Sequence, residues 1–460
     1  MNVKIPVQVK DLLNMLQSKG FEAFIVGGCV RDSLLEKKPN DWDITTNAKP
    51  DEIREVFKDY KLINNNGEKH GTVTIMYEGE SYEITTYRTE TGYSDHRHPS
   101  EVEFVASLEE DLKRRDFTIN AMALGTNHIL YNPNGYDGEY DLRYKVIRAV
   151  GNPLERFKED ALRILRMIRF ASQLDFTIED NTLDCAWRLR EDLKYISKER
   201  IREEINKFLC GKGFKRLCLN YQVIDILKVV FPHIEPMIYF DQRSRFHKHD
   251  LWLHTINVVD TIENRDYMVA MAGFLHDIGK LTCYQEYTSP EGKPMLHFVG
   301  HPVVSYEKSL EILKELKYSQ AEIDIISTLV LNHDFTFTGS VKNIKKVMNA
   351  IQLKCPTVLD YVYRSLINLK FADWYDHDFG NSNIEIPPKE KMISTYEYII
   401  SQNECFSLKD LAINGNDLIA LGFKPSPIMK TILNDCLDKV INEELENNKD
   451  NLIAYIKLNY

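Results

Sequence analysis

Two sets of residues in this chain have types and spacings suited to chemistry. The first begins with Phe24-Ile25-Val26-Gly27-Gly28-Cys29-Val30-Arg31-Asp32, an apolar strand running into a glycine pair and the start of a helix. Glycines at such a turn let backbone N–H groups approach a phosphate, and a helix start favours an anion. Thirteen residues past Gly28 comes Asp41-Trp42-Asp43-Ile44. Residues two apart in a strand share a face, so Asp41 and Asp43 could hold one pair of Mg²⁺ ions. Such a pair activates an attacking hydroxyl and stabilises a leaving pyrophosphate. A lone Gly-Gly or a lone Asp-x-Asp is usually a turn; together at this spacing they favour a nucleotidyl-transfer site. Glu83, in the strand-like run 82–86, is the candidate third carboxylate, with an exposed strand residue as the alternative.

The second set is His254, the pair in His276-Asp277-Ile278-Gly279-Lys280, and Asp373 in Phe371-Ala372-Asp373. The His-Asp pair follows the apolar run 269–275, and burying it is costly unless it is paired or bound to a metal. Imidazole with carboxylate suits a transition ion (Mn²⁺, Co²⁺ or Ni²⁺) that polarises a phosphate and activates water. His301 and His333 would enlarge this site, or are ordinary polar residues. The order His…His-Asp…Asp resembles the HD phosphohydrolase superfamily, set here against the alternative of a degenerate, structural HD fold.

These residues need elements to position them. Residues 24–26, 73–76 and 82–86 read as strands, and Asn132-Pro133-Asn134-Gly135 as a turn. From about 153 the pattern is almost entirely helical, with breaks at 231–236 and 379–383. On a helix over 160–170, Ala161, Ile164, Leu165 and Ile168 share one side, while Arg163, Arg166 and Arg169 face away from it. Alone, that is an amphipathic helix with a solvated basic face. Residues 143–216 carry 18 Lys/Arg and 12 Asp/Glu, a local excess of positive charge in a chain of net −11. It fits either a solvated helical face or a surface for a polyanion.

Composition narrows the classes. The 460 residues suffice for about three or four domains. An apolar fraction of 43 %, with 21 Phe and 24 Tyr, excludes a disordered chain. The overall negative charge argues against a general nucleic-acid coat protein. No apolar run approaches the ~18 residues of a membrane span, and MNVKIPVQVKDLL lacks the features of a secretory signal. Cys29, Cys185, Cys210, Cys218, Cys283, Cys355, Cys405 and Cys436 are scattered with no CxxC, as expected of reduced thiols in a cytoplasmic protein.

Four ordered motifs carry a family likeness. GGCVRD…DWD, Arg114-Arg115-Asp116-Phe117-Thr118-Ile119-Asn120-Ala121-Met122-Ala123, the run from Glu159-Asp160-Ala161 to Arg169-Phe170, and Lys198-Glu199-Arg200-Ile201-Arg202-Glu203-Glu204 resemble the class II branch of the nucleotidyltransferase superfamily. That branch holds the CCA-adding enzymes of tRNA and the bacterial poly(A) polymerases. The resemblance implies an α+β fold: a nucleotidyltransferase head of β-sheet with helices at 1–147, then an all-α neck and start of the body at 148–240, an HD domain at 241–385, and a helical, tRNA-binding tail at 386–460. It implies Asp41, Asp43 and Glu83 as catalytic carboxylates, with Mg²⁺ on the first two. Gly28 and Arg31 would contact the triphosphate and Arg115 would lie near the nucleotide. Asp160 and Arg163 would read the base, with Arg166 and Arg169 lining the site. A carboxylate accepting from an exocyclic amine, beside a guanidinium donating to the ring nitrogen, suits cytosine and adenine. Guanine and uracil would leave charges unpaired. The motif leaves Arg114 and Asp116 open between site residues and structural ion pairs.

Residues 87–99 resemble the family's flexible loop, which points to full CCA addition or to A addition. The chain lacks the basic element that bacterial poly(A) polymerases carry. Residues 411–425 resemble the family's tRNA-binding tail, where Gly422 and Lys424 would meet a phosphate. The likeness to HD-containing CCA-adding enzymes implies phosphatase or phosphodiesterase activity at His254, His276, Asp277 and Asp373, with 2′,3′-cyclic phosphates as a candidate substrate. The leading expectation is template-independent CCA addition to the tRNA 3′ end from CTP and ATP, with no membrane and no DNA partner. The alternatives are an A-adding enzyme, a poly(A) polymerase, an HD phosphohydrolase with a relic head, and a non-catalytic RNA-binding protein.

Overall fold

The computed structural model describes residues 3–63, 71–93, 99–105, 107–133, 135–244, 247–377 and 387–460. Residues 94–98 of the expected loop, Asn134 of the turn cluster and the break at 379–383 lie outside them. The chain forms two compact units, Met1–Pro232 and His233–Tyr460.

In the first unit the strands are β1 (Ala23–Val26), β2 (Ile44–Thr46), β3 (Lys61–Ile63), β4 (Thr72–Tyr77), β5 (Glu80–Thr86), β6 (Arg88–Tyr93), β7 (Pro99–Phe104), β8 (Ala123–Leu124) and β9 (Leu130–Tyr131). Among the described residues, seven of them make one sheet in the order β3-β4-β5-β2-β1-β8-β9, and β6 and β7 pair as a separate hairpin. β2 runs antiparallel to β1 and parallel to β5. The period of two is plain in β5, where Tyr82, Ile84 and Thr86 are buried and Glu83 is exposed. Asp41 and Asp43 precede β2 rather than lying in it. The chain there still runs alongside β1, because the Val26 N–H donates to the Asp43 carbonyl at 3.0 Å.

Residues 160–170 are not one helix. The helix Pro153–Glu159 ends at Asp160, whose backbone is extended (φ −142°, ψ 104°), and a new helix runs from Leu162 to Leu174. Asp160 Oδ1 accepts from the Leu162 N–H at 3.0 Å, satisfying a donor that the helix start leaves without a partner. The apolar stripe is buried as expected, including Ile164, Leu165 and Ile168. The helix Lys198–Leu209 packs against it. The chain that follows passes so close that a Cβ on Gly211 would lie 2.4 Å from the Ser172 carbonyl carbon, so only glycine fits. The stretch is not purely helical: β10 (Val146–Ile147) and β11 (Thr177–Ile178) pair in parallel. β-Branched Thr177 and Ile178 resume extended backbone just after Asp175 closes the helix in the left-handed conformation.

The second unit is mostly helical. The helix Tyr267–Leu275 is buried throughout 269–275, as an element apolar on all sides must be. It delivers His276 and Asp277 to the interior at its end. Around it stand Leu251–Thr261, Gln320–Asn332 and Leu359–Asp376, with His301–Glu315 close by. Among the described residues, the exceptions to the helical pattern are a hairpin of β12 (Gln285–Thr288) and β13 (Pro294–His297) and an antiparallel bridge between His247 and His377. The C-terminal helices, from Gly415–Ala420 to Lys449–Asn459, have their own core around Leu418, Ile432, Leu437 and Leu452.

Candidate active sites in the two units

At the first site the β2–β5 register pairs Ile44 with Ile84. Carried back one residue, it sets Asp43 beside Glu83. Burial raises the Asp43 carboxyl, and Asp41 and Glu83 raise it further against the opposing pull of Arg115, to about 6. Cys29 lies underneath, with its thiol 3.3 Å from the Val26 carbonyl oxygen. Burial, helped by Asp43, pushes that thiol up to about 12, so it is packing rather than a nucleophile. Gly27 makes room for an arginine, whereas at Gly28 a Cβ would make only ordinary contact. Gly27 has φ +81°, and a Cβ on it would lie 3.1 Å from Arg115 Nη1. A Cβ on Gly28 would lie 3.7 Å from Arg31 Nη2.

The motif at 114–123 supplies the frame. Asp111 is fully buried and pairs with Arg114 at 2.8 Å and Arg115 at 3.3 Å. Arg114 is therefore a partner in a buried ion pair. Asp116 takes Arg166 at 2.6 Å and the Asn120 amide at 3.2 Å. Burial opposes ionisation of Asp116, yet Arg166 and Arg163 hold its carboxyl down at about 2. Asn120 Oδ1 accepts from Arg31 at 2.6 Å.

Of the arginines of the Leu162–Leu174 helix, Arg166 is 35 % exposed and Arg163 and Arg169 are turned away from solvent onto partners. Arg163 pairs with Glu159 at 2.6 Å and donates to the Arg114 carbonyl at 3.1 Å. Arg169 pairs with Glu204 at 2.5 Å. The side chains of Arg163 and Arg169 are each 11 % exposed. Their carboxylates come from the preceding helix and from the neck, which helical periodicity does not report. Asp160 is held by Arg200 at 2.7 Å, so Asp160 and Arg163 are oriented by different partners. Asn120, Phe170, Arg200 and Glu204 stand inside the quoted motifs but had no expected role; membership of those motifs was the available signal.

In the second unit His254, His276, Asp277 and Asp373 converge. His254 Nε2 lies 3.3 Å from Asp277 Oδ2, from Asp373 Oδ1 and from His276 Nε2. His276 Nε2 lies 3.2 Å from Asp277 Oδ2. Donors about 2.1 Å from one ion stand about 3.0–3.4 Å apart, so this spacing fits one cation. All four residues are almost fully buried. Burial alone would push the His254 imidazole down, yet hydrogen bonds to Asp277, Asp373 and Asp376 carry it up to about 10. The cluster thus draws positive charge to the spot a metal would take. Asp277 Oδ1 faces a second group, His301 Nε2 at 3.2 Å and His333 Nε2 at 3.6 Å. Among the described residues, the groups of three or more donors near enough to share an ion all lie in this unit.

Other side chains complete the surroundings. Asp376 Oδ2 holds His254 Nδ1 at 2.8 Å, and His377 Nε2 lies 3.3 Å from Asp373 Oδ1. Buried Lys280 reaches Asp277 Oδ2 at 2.6 Å, His247 Nε2 at 2.7 Å and Gln242 Oε1 at 3.0 Å. Sequence reasoning assigned no role to Asp376, His377, His247 or Lys280. The signal for the first two was their closeness to Asp373: Asp376 follows it at i+3 on the same helix and His377 caps that helix. A 340 Å³ cavity opens at this end, lined in part by His247, Lys280, His301 and Phe298.

Comparison with known proteins completes the description. The profile of the poly(A) polymerase head domain matches residues 23–148, that of the RNA- and SrmB-binding site of polymerase A 175–238, that of the HD domain 251–378, and that of tRNA nucleotidyltransferase domain 2 residues 385–456. The crystal structure of the Bacillus stearothermophilus CCA-adding enzyme in complex with CTP superposes with a TM-score of 0.71, covering 99 % of this chain and 98 % of that one at 26 % identity. The CCA-adding enzyme of Lactobacillus delbrueckii subsp. bulgaricus is 51 % identical over 209 residues, 45 % of this chain and 52 % of its own. That of Staphylococcus haemolyticus is 32 % identical over 458 residues, 98 % of each chain. A nucleotidyltransferase head followed by a helical body with an HD domain, alike along nearly its whole length to the Staphylococcus haemolyticus enzyme, places the chain in the CCA-adding enzyme family.

Proposed function

We propose that the first unit adds C, C and A to the 3′ end of tRNA from CTP and ATP, with Asp41, Asp43 and Glu83 as its catalytic carboxylates. The observation that carries this reading is the setting of Asp43, half-buried among Asp41 and Glu83 with Arg115 opposing them. Like charges held together in this way suit hard, oxygen-preferring Mg²⁺. Two such ions on Asp41 and Asp43, when bound, activate the tRNA 3′-hydroxyl and stabilise the leaving pyrophosphate. The residues present do the rest. Gly28 and Arg31 contact the triphosphate, and Arg115, against Gly27, lies near the nucleotide. Asp160 and Arg163 present the acceptor and donor that match cytosine and adenine, while Arg200 and Glu159 hold them in place. Arg166 and Arg169 line the same site. The relatives' name, and the CTP in the Bacillus stearothermophilus complex, support the reading.

The test uses tRNAs ending before each of the three added nucleotides, each incubated with single labelled nucleoside triphosphates. Two C additions and then one A are expected. A addition alone, on tRNA already ending in CC, would make this an A-adding enzyme, and open-ended A addition would make it a poly(A) polymerase.

For the second unit we infer a metal-dependent phosphohydrolase centre at His254, His276, Asp277 and Asp373, taking Mn²⁺, Co²⁺ or Ni²⁺. Asp277 carries this reading because its two oxygens face two separate donor groups. An ion held there polarises a phosphoester and activates water. Lys280 would face the phosphate as a buried positive charge. Chelation followed by reloading with each ion, assayed on a 2′,3′-cyclic nucleotide, tests it. No hydrolysis with any ion would make this unit structural.

A further inference from the structure

Phe170 follows Arg169 at the centre of the Leu162–Leu174 helix, and 7 % of it is exposed. Three guanidinium groups gather at its ring. That of Arg169 lies 3.9 Å from the ring centroid, that of Arg31 5.2 Å and that of Arg166 5.4 Å. An aromatic face is electron-rich and attracts cations within about 6 Å, and guanidinium planes stack on it. The ring is itself fixed by Phe117, edge-on at 5.9 Å between centroids and 78° between planes. Phe117 is fully buried and Phe170 nearly so.

These contacts close a circuit. Arg31 donates to Asn120, the Asn120 amide donates to Asp116, Asp116 pairs with Arg166, and both Arg166 and Arg31 return to the Phe170 ring. Residues from three sequence motifs meet there. Arg31 starts on the helix Gly28–Leu34 beside the glycine turn. Asp116, Phe117 and Asn120 come from the second motif, and Arg166 and Phe170 from the third. Three cations in one place repel one another, and each has its own carboxylate: Asp32 for Arg31, Asp116 for Arg166 and Glu204 for Arg169. The ring is the element that all three arginines share.

We infer that Phe170 is a positioning residue for nucleotide binding: its ring, carried on the same helix as Arg166, sets the placement of Arg31, so that the triphosphate contact and that base-reading helix are aligned before a nucleotide arrives. The inference rests on the proposed role of Arg31 at the triphosphate. Leucine would keep the apolar volume but lose the face that attracts guanidinium, whereas tyrosine would keep the face.

The test measures KM and kcat for CTP and for ATP on tRNAs lacking the corresponding nucleotide, with equilibrium binding of labelled CTP as a second readout. Phe170→Leu should raise KM for both nucleotides, and weaken CTP binding, about tenfold, with kcat changed less than threefold and the circular dichroism spectrum retained. Phe170→Tyr should restore both values to within about threefold of the parent. The double variant Phe170→Leu/Arg31→Ala should be no worse in KM than Arg31→Ala alone, because the ring acts through that arginine. Multiplying effects in the double variant would assign Phe170 to general packing and overturn the inference, as would an unchanged KM in Phe170→Leu while Arg31→Ala raises it. An unchanged KM in Arg31→Ala would overturn the nucleotide-site reading of Arg31 and this inference with it.

Discussion

Asp43 in the first unit and Asp277 in the second are both carboxylates placed among groups suited to a metal, yet their surroundings push them in opposite directions. Burial and negative neighbours raise Asp43 to about 6. Asp277 is fully buried, but His276 and Lys280 hold its carboxyl well below the usual range. The first site is a cluster of like charges at the rim of a sheet, with Asp41 and Glu83 exposed. The second is a closed set of histidines and aspartates that already neutralise one another. On the proposed function, the first site would admit a nucleoside triphosphate and an RNA end, which needs its carboxylates uncovered. The second would hold an ion in the interior, with a ligand set completed from its own side chains. The first therefore depends on what binds to it, and the second is built beforehand.

The sharpest way to break that contrast is to remove a carboxylate of the first site. Asp41→Ala or Asp43→Ala should lower nucleotide addition by about 10³-fold or more, since no nearby group replaces the lost acceptor. Gel-shift binding of tRNA should persist and weaken with added salt, as phosphate contacts do. Substantial addition by either variant would remove the metal role from this pair.

Next, His276→Ala or Asp277→Ala should abolish metal-dependent hydrolysis of a 2′,3′-cyclic nucleotide while leaving nucleotide addition within about twofold. Asp41→Ala should do the converse. Loss of addition in a His276→Ala protein that keeps its circular dichroism spectrum would show the two sites to be coupled.

A smaller effect is expected on selectivity. Asp160→Ala or Arg163→Ala should narrow the preference for CTP and ATP over UTP and GTP by about 10- to 100-fold in kcat/KM, because a wrong base no longer leaves a charge unpaired. If all four nucleotides slow equally, this pair does not read the base.

The smallest effect is one of stability. With a folded pKa of about 6, above the ~3.9 of an unfolded aspartate, Asp43 makes the folded state bind more protons across that interval. Stability from this group is therefore present at the acid end and lost as pH rises from about 4 through 6. Asp43→Asn cannot ionise and should be more stable than the parent by about 2–3 kcal/mol at pH 7.5, with little difference at pH 4, in urea unfolding. Mg²⁺ should close the gap at pH 7.5 by relieving the same repulsion. A gap that is unchanged by pH and by Mg²⁺ would contradict the like-charge account of the first site.

Much of the scaffold was legible in local pattern. The alternation over 82–86 gave β5 its buried face, and the stripe Ile164, Leu165 and Ile168 gave the helix its inner side, because burial imposes a period of two or 3.6 on the sequence itself. The end of one helix at Asp160 and the start of the next at Leu162 escaped that pattern, since a capping side chain changes backbone direction without altering apolar spacing. Motif order marked the residues that assemble, but not their partners. Arg166 meets Asp116 across 50 positions, Asp160 meets Arg200 across 40, Arg31 meets Asn120 across 89, and His254 meets Asp376 across 122. Local pattern and spacing by themselves determined early strand runs followed by helices, two sets of metal-suited residues and a basic stretch, while the α+β fold class came with the family resemblance. Only the tertiary structure decided that the basic stretch turns its arginines onto carboxylates and a phenylalanine ring. A charge reports its type in sequence, but its partner is whichever opposite charge the packed core carries to within a few ångströms.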